Sequence, residues 1–147
     1  MITRWFHVAS YVKYPMMLLG AWRAFPELVH RTPQCLEHIG LGLFFFGMGL
    51  TLDGLKAERA PSAREIRSFQ NEKQFKFSLI FSSSWAVLSF CLGVFFFAVP
   101  LFWPSVPASV YEQIKGIGLG TFSMSVGALV LEKQRYTRFL AYQHRGD

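Results

Sequence analysis

The chain has 147 residues, 52% of them hydrophobic and 16% charged, where an average soluble domain carries roughly 25% charged residues. That balance excludes a solvated, disordered chain, and the length allows one domain. The net charge of +6 does not point to nucleic acid, because the basic residues are distributed as a membrane topology would distribute them.

The strongest single signal is residues 77–111, which hold 35 consecutive positions without Asp, Glu, Lys, Arg or His. About 20 apolar residues cross a bilayer core, so this run contains one complete span and the turn that follows it. Four segments are predicted in all, which gives an all-α, integral membrane four-helix bundle in a single domain over residues 1–147.

The first segment, 5–29, is the weakest. It contains Lys13, Arg23 and Glu27, and its longest uncharged stretch is 14–22. Two placements fit: a tilted span with snorkelling ends, or an amphipathic helix lying in the interface. Lys13, Pro15 and Arg23 also interrupt it too early for a secretory signal, and no small-residue cleavage site follows. Arg23 and Glu27 are one turn apart and are candidates for a pair that lowers their cost in an apolar setting.

The second segment, 36–55, has an uncharged centre at 39–52. Gly40, Gly47 and Gly54 repeat every seven residues, and Gly42 and Gly49 line a different face. Glu37 and His38 mark its outer end and Asp53 its inner end. An ionisable residue near a span is a functional candidate by default, so Asp53, Glu37, His38, Arg23 and Glu27 are the candidate functional polar residues.

The connection 56–76 is basic. Within it Ser62 and Glu65 form the spacing of a capping box, preceded by Pro61. From residue 63 to residue 99 only Gly93 breaks an otherwise helical composition, so one helix of about 37 residues, roughly 55 Å at 1.5 Å per residue, is expected. That is the third helix, with its span at 77–99 and its first turns extended into the cytoplasm. Ile66 and Phe69 form the candidate partner-docking stripe on this extension.

The turn 100–111 holds Pro100, Pro104 and Pro107, which stop helix, and Trp103 and Tyr111, which suit a headgroup layer. The fourth span, 110–131, carries Gly116, Gly120, Ser123 and Gly127 at steps of 4, 3 and 4. The third carries Ser82, Ala86, Ser89 and Gly93 at the same steps. Lipid supplies no hydrophobic drive for helix association, so membrane helices associate by close approach over small residues. These two stripes are expected to pack on each other, with homo-oligomeric contact or a hydroxyl-lined pore as the alternatives. The glycines on two faces of the second span predict neighbours on both sides of it.

Orientation follows the basic residues. Lys56, Arg59, Arg64, Arg67, Lys73 and Lys76 lie in the connection, and Lys133, Arg135, Arg138 and Arg145 in the tail 132–147. Placing both inside, with Arg4 and Lys13, accounts for 12 of the 15 basic residues. Both termini are then cytoplasmic, in a plasma membrane of the bacterial inner-membrane type.

No cofactor or metal is expected. Cys35 and Cys91 have no metal-ligand spacing, and His7, His30, His38 and His144 all fall near segment ends, whereas a membrane haem site needs histidines facing each other at depth. Neither a nucleophile–base pair nor a carboxylate pair stands out, so an enzyme is not expected. The predicted partners are the lipid bilayer and another membrane or cytoplasmic protein, with self-association as a further option and no nucleic acid. The expected role is that of an accessory, regulatory or immunity-type membrane subunit. The alternatives are an oligomeric channel or small-solute transporter, and a membrane-sensing component of phage defence or conjugal exclusion.

Overall fold

The computed structural model describes residues 2–30, 35–55 and 61–144, with side chains from Tyr11 onward except that of Glu27. These residues form five α-helices: α1 Ile2–His30, α2 Cys35–Gly54, α3 Ala63–Gln70, α4 Glu72–Phe102 and α5 Ala108–Gln143. There is no strand among the described residues. Three of the helices, α2, α4 and α5, are long and apolar enough to cross a membrane. Arg31, Lys56, Arg59 and Arg145 of the charge tally lie outside the described residues.

Three helix pairs make up the fold: α1 on α2, α2 on α5, and α5 on α4. Their registers can be read from what surrounds each glycine. A Cβ on Gly40 would collide with the Gly116 carbonyl group, one on Gly47 with the backbone of Ser123, and one on Gly54 with Val130 and Leu131. Both numbers rise together, so α2 and α5 run parallel. Gly42 faces Gly20 and Ala24 while Gly49 faces Lys13 and Met17, so α1 runs antiparallel to α2. Gly93 faces Phe122 and Gly118, and Gly118 faces Phe96 and Phe97, so α4 runs antiparallel to α5.

The order in space is therefore α1–α2–α5–α4. On α2 the glycines facing α1 and those facing α5 are two residues apart, about 200° around the helix at 100° per residue. On α5 the Gly116, Gly120, Ser123, Gly127 face and the Gly118 face are likewise nearly opposite. Two helices with neighbours on opposite sides make a row. The four long helices of the expected bundle are thus arranged as a nearly flat layer one helix thick.

The seven-residue spacing of Gly40, Gly47 and Gly54 keeps one face on its partner only if the pair winds with a shallow left-handed crossing. The expected partnership of the two matching stripes also changes. The stripe of the fourth span meets α2, and the third span reaches α5 through Gly93 against Gly118. Pairing the stripes by their like steps overlooked the second glycine face of α5.

α1 contains the expected 5–29 segment and is helical through Pro15 and Pro26; such interruptions are tolerated in membrane helices because neighbouring groups take up the freed backbone positions. Three other features differ from expectation. α4 continues past Pro100 to Phe102 and closes where the Trp103 amide donates to the Val99 carbonyl. The single 63–99 helix is instead two. Asn71 breaks it with φ −104° and ψ 82°, and its side-chain oxygen accepts from the Gln74 amide at 3.2 Å to start α4. The helix that extends is α5, whose 36 residues measure about 54 Å, well beyond a hydrocarbon core of about 30 Å.

Candidate functional site

Helices that cross a bilayer need no greasy interior, since lipid is as apolar as leucine. The only cluster of fully buried aromatic side chains among the described residues sits at the basic end instead, where water makes burial favourable. Phe69 of α3 meets Phe75 of α4 at 5.1 Å between ring centroids and Phe139 of α5 at 5.6 Å; Phe75 stacks on Phe139 at 4.5 Å, and Tyr142 closes the group. Phe75 and Phe139 are each 1% exposed. The Arg135 guanidinium lies 5.2 Å from the Phe75 ring centroid. Phe69 is thus spent inside the molecule and is not an open docking residue; Ile66 is half-buried.

The capping box forms in both directions. The Glu65 amide donates to Ser62 Oγ at 3.3 Å and the Ser62 amide donates to Glu65 Oε2 at 2.9 Å. The other carboxylate oxygen, Glu65 Oε1, takes Arg138 Nη2 at 2.6 Å, which ties α3 to α5. Burial pushes the Glu65 carboxyl up, but the Ser62 amide and hydroxyl, together with Arg138, outweigh it and hold the group below its ordinary 4.5. A carboxyl with a depressed folded value adds stability that is present above its unfolded value and is lost as pH falls. Docking of α3 is therefore expected to hold at neutral pH and to loosen below pH 4.5. Amide exchange in α3, followed from pH 7 to pH 3 and corrected for intrinsic rates, should lose protection over that range in the wild type. In Glu65→Gln, protection should be weaker already at pH 7 and should not change with pH.

Within the layer, Lys13 of α1 and Asp53 of α2 form an ion pair across the seam. Lys13 is 5% exposed, whereas the Asp53 side chain is 35% exposed. The sequence places Lys13 in a segment with snorkelling ends and Asp53 at the inner end of the second segment, with nothing to pair them; the structure brings them together. The signal that would have found this pair is opposite charge at matching depth on consecutive antiparallel helices. Close backbone approach makes the pairing possible: a Cβ on Gly49 would stand 3.1 Å from the Lys13 carbonyl oxygen.

The other candidate polar residues lie along α1 and α2 away from this pair. Arg23 is exposed on α1, and the side chain of Glu27, its expected partner, lies outside the described residues. Glu37 packs its backbone against Gly116, where a Cβ would stand 2.8 Å from the Glu37 Cα. His38 is half-buried at the same end of α2.

Five hydroxyls of α4 and α5 are committed to backbone carbonyls. Ser123 donates to Phe44 across the α2–α5 seam at 2.8 Å, whereas Thr121, Ser125, Ser82 and Ser89 donate to the preceding turn of their own helices at 2.7–2.9 Å. Of the third-span stripe only Ala86 and Gly93 are buried. Between the outer halves of α4 and α5 an apolar groove of about 550 Å³ opens beside Phe97, Leu101, Tyr111 and Phe122. Among the described residues no group of three or more His, Cys, Asp or Glu side chains is placed to hold a metal ion, and Cys35 and Cys91 are free thiols.

Comparison with known protein families, with curated proteins and with solved structures finds no match. What defines the chain is its architecture: a helical protein with three membrane-length apolar helices, closed by glycine seams and latched by an aromatic cluster at its basic end.

Proposed function

We propose that the chain is a small polytopic membrane protein that acts by contact with other proteins, as an accessory, regulatory or immunity-type subunit. The observation that carries this reading is the flat layer. The seams approach backbone to backbone at Gly20 and Gly42, at Gly40 and Gly116, at Gly47 and Ser123, and at Gly93 and Gly118, and the groove between the outer halves of α4 and α5 is lined by apolar side chains, so the layer offers no polar path there. Its two outer helices, α1 and α4, each keep a side without a neighbour among the described residues. In this reading α1 is the fourth span. It lies antiparallel along α2 from Lys13 to Ala24, which an interfacial helix lying in the membrane plane would not do. Both termini then lie on the cytoplasmic side, which the basic residues favour.

The channel or transporter alternative requires several copies to enclose a lumen, and Ser82, Ser89, Thr121, Ser123 and Ser125 all donate their hydroxyl hydrogens to carbonyls. Photo-crosslinking from Leu88 of α4 and Leu18 of α1, which are 57% and 71% exposed, separates the two readings. Discrete protein adducts in native membranes, with no solute leak from liposomes holding the purified chain, are expected. Self-adducts alone accompanied by solute flux would establish the channel. Reporter fusions after Lys76 and at the C-terminus should read cytoplasmic and one after Pro104 external; an external reading at Lys76 overturns the orientation.

A further inference from the structure

The placement of α3 has a bearing on lipid. Phe75 is level with Phe139, since the two rings stack. If α3 simply continued the axis of α4, Glu65 would lie ten residues, about 15 Å, beyond that level. It instead meets Arg138, the neighbour of Phe139, at 2.6 Å. With Phe69 on Phe139 and Tyr142, α3 must fold back at Asn71 and lie across the sides of α4 and α5, near the level of Phe75.

That level is the headgroup layer of the bilayer, on the membrane-spanning reading above. Phe77 is 72% exposed and opens the charge-free run of α4, so the hydrocarbon edge falls there. Phe75 and Lys73 are two and four residues outside it, about 3 and 6 Å, within the headgroup margin left when a core of about 30 Å sits in a bilayer of about 40–45 Å.

The charges at this level do not cancel. Glu65 is taken by Arg138 and Glu72 by Lys76. Arg64, Arg67 and Lys73 are exposed and have no carboxylate partner among the described residues. Arg64 and Arg67 are three positions apart, on the face of α3 roughly opposite Phe69. The aromatic cluster fixes one side of α3 to the layer and leaves the basic side looking out over the neighbouring lipid.

We propose that this face, Arg64 and Arg67 of α3 with Lys73 of α4, is a docking surface for the phosphate headgroups of anionic phospholipids in the adjacent leaflet. A basic residue close to an anionic surface contributes roughly fivefold in affinity. Three of them make a preference on the order of 100-fold for anionic over zwitterionic lipid.

The test is retention of lipid by the full-length protein. Wild type and Arg64→Gln/Arg67→Gln/Lys73→Gln are reconstituted with equal phosphatidylglycerol and phosphatidylcholine, and the lipids that remain bound are counted by native mass spectrometry. Wild type should retain phosphatidylglycerol selectively, and the triple variant should lose most of that selectivity. Lys115→Gln, at the opposite end of α5, should keep it, as should the charge-retaining Arg64→Lys/Arg67→Lys. Unchanged selectivity in the triple variant overturns the proposal. Displacement of the bound lipid by inorganic polyphosphate at matched phosphate concentration also overturns it, since the surface would then be a site for soluble polyanions. Carbonate extraction separates this claim from the one beneath it. A wild-type chain washed off by carbonate defeats the spanning reading, whereas one that stays in the membrane without anionic selectivity defeats the lipid surface alone.

Discussion

Asp53→Leu is expected to destabilise the protein by about 3–5 kcal/mol, the usual cost of removing one partner of a buried ion pair. The cost falls on Lys13, which is 5% exposed and is left as an uncompensated charge between two helices. Lys13→Met should cost less, because the Asp53 side chain is 35% exposed and still reaches water. Lys13→Met/Asp53→Leu should recover to near wild type or above it, since well-packed apolar replacements of a whole buried pair are often neutral or stabilising. Reversible unfolding in mixed micelles, followed by helicity, measures all three. If Asp53→Leu stays within about 0.5 kcal/mol of wild type, as surface substitutions do, Lys13 has another outlet and the pair does not hold α1 to α2.

The second large effect lies in the α2–α5 seam. Gly40→Ala and Gly47→Ala should each destabilise by about 1–3 kcal/mol, the range for overpacking a filled interior. The added methyl at Gly40 would meet the Gly116 backbone, and that at Gly47 the Ser123 and Met124 backbone, so no rotamer change relieves it. The sign is diagnostic. In a helix with open space beside it, Gly→Ala stabilises by up to about 1 kcal/mol through propensity alone. Gly54→Ala is the internal comparison. Its nearest neighbour is the Val130 Cγ1 methyl at 2.6 Å, the end of a side chain that can turn, so its cost should be the smallest of the three. Stabilisation by Gly40→Ala would mean that α2 and α5 do not approach as described.

The presence of helices long and apolar enough to cross a membrane was legible from charge and length alone. The run 77–111 and the apolar centre of 39–52 need no partner to be recognised, because the bilayer sets the required length. The two glycine faces of α2 were legible as well, since position on a helix follows from spacing. The arrangement of neighbours was not. A stripe such as Gly116, Gly120, Ser123 and Gly127 says that something comes close, and it says nothing about which helix. The Asn71 break is not legible in the sequence, because asparagine inside a helical stretch costs only about a few tenths of a kcal/mol and carries no signal of its own. It becomes a corner because Phe69, Phe75 and Phe139 gain more by burying one another in water than a straight helix would gain by projecting Phe69 into it. The Lys13–Asp53 pair spans 40 positions, and its legibility depends on knowing first that the 5–29 segment lies along the second.

The central claim is that four helices stand in a single row with α1 and α4 at its ends. It is tested most directly by the distance between those two helices in a lipid bilayer. Spin labels at Leu18 of α1 and Leu88 of α4, measured by double electron–electron resonance in liposomes, should report about 25 Å or more between the helices, three packing distances of about 8–10 Å each. A distribution centred below about 15 Å would place α1 beside α4, as in a closed bundle, and would contradict the row.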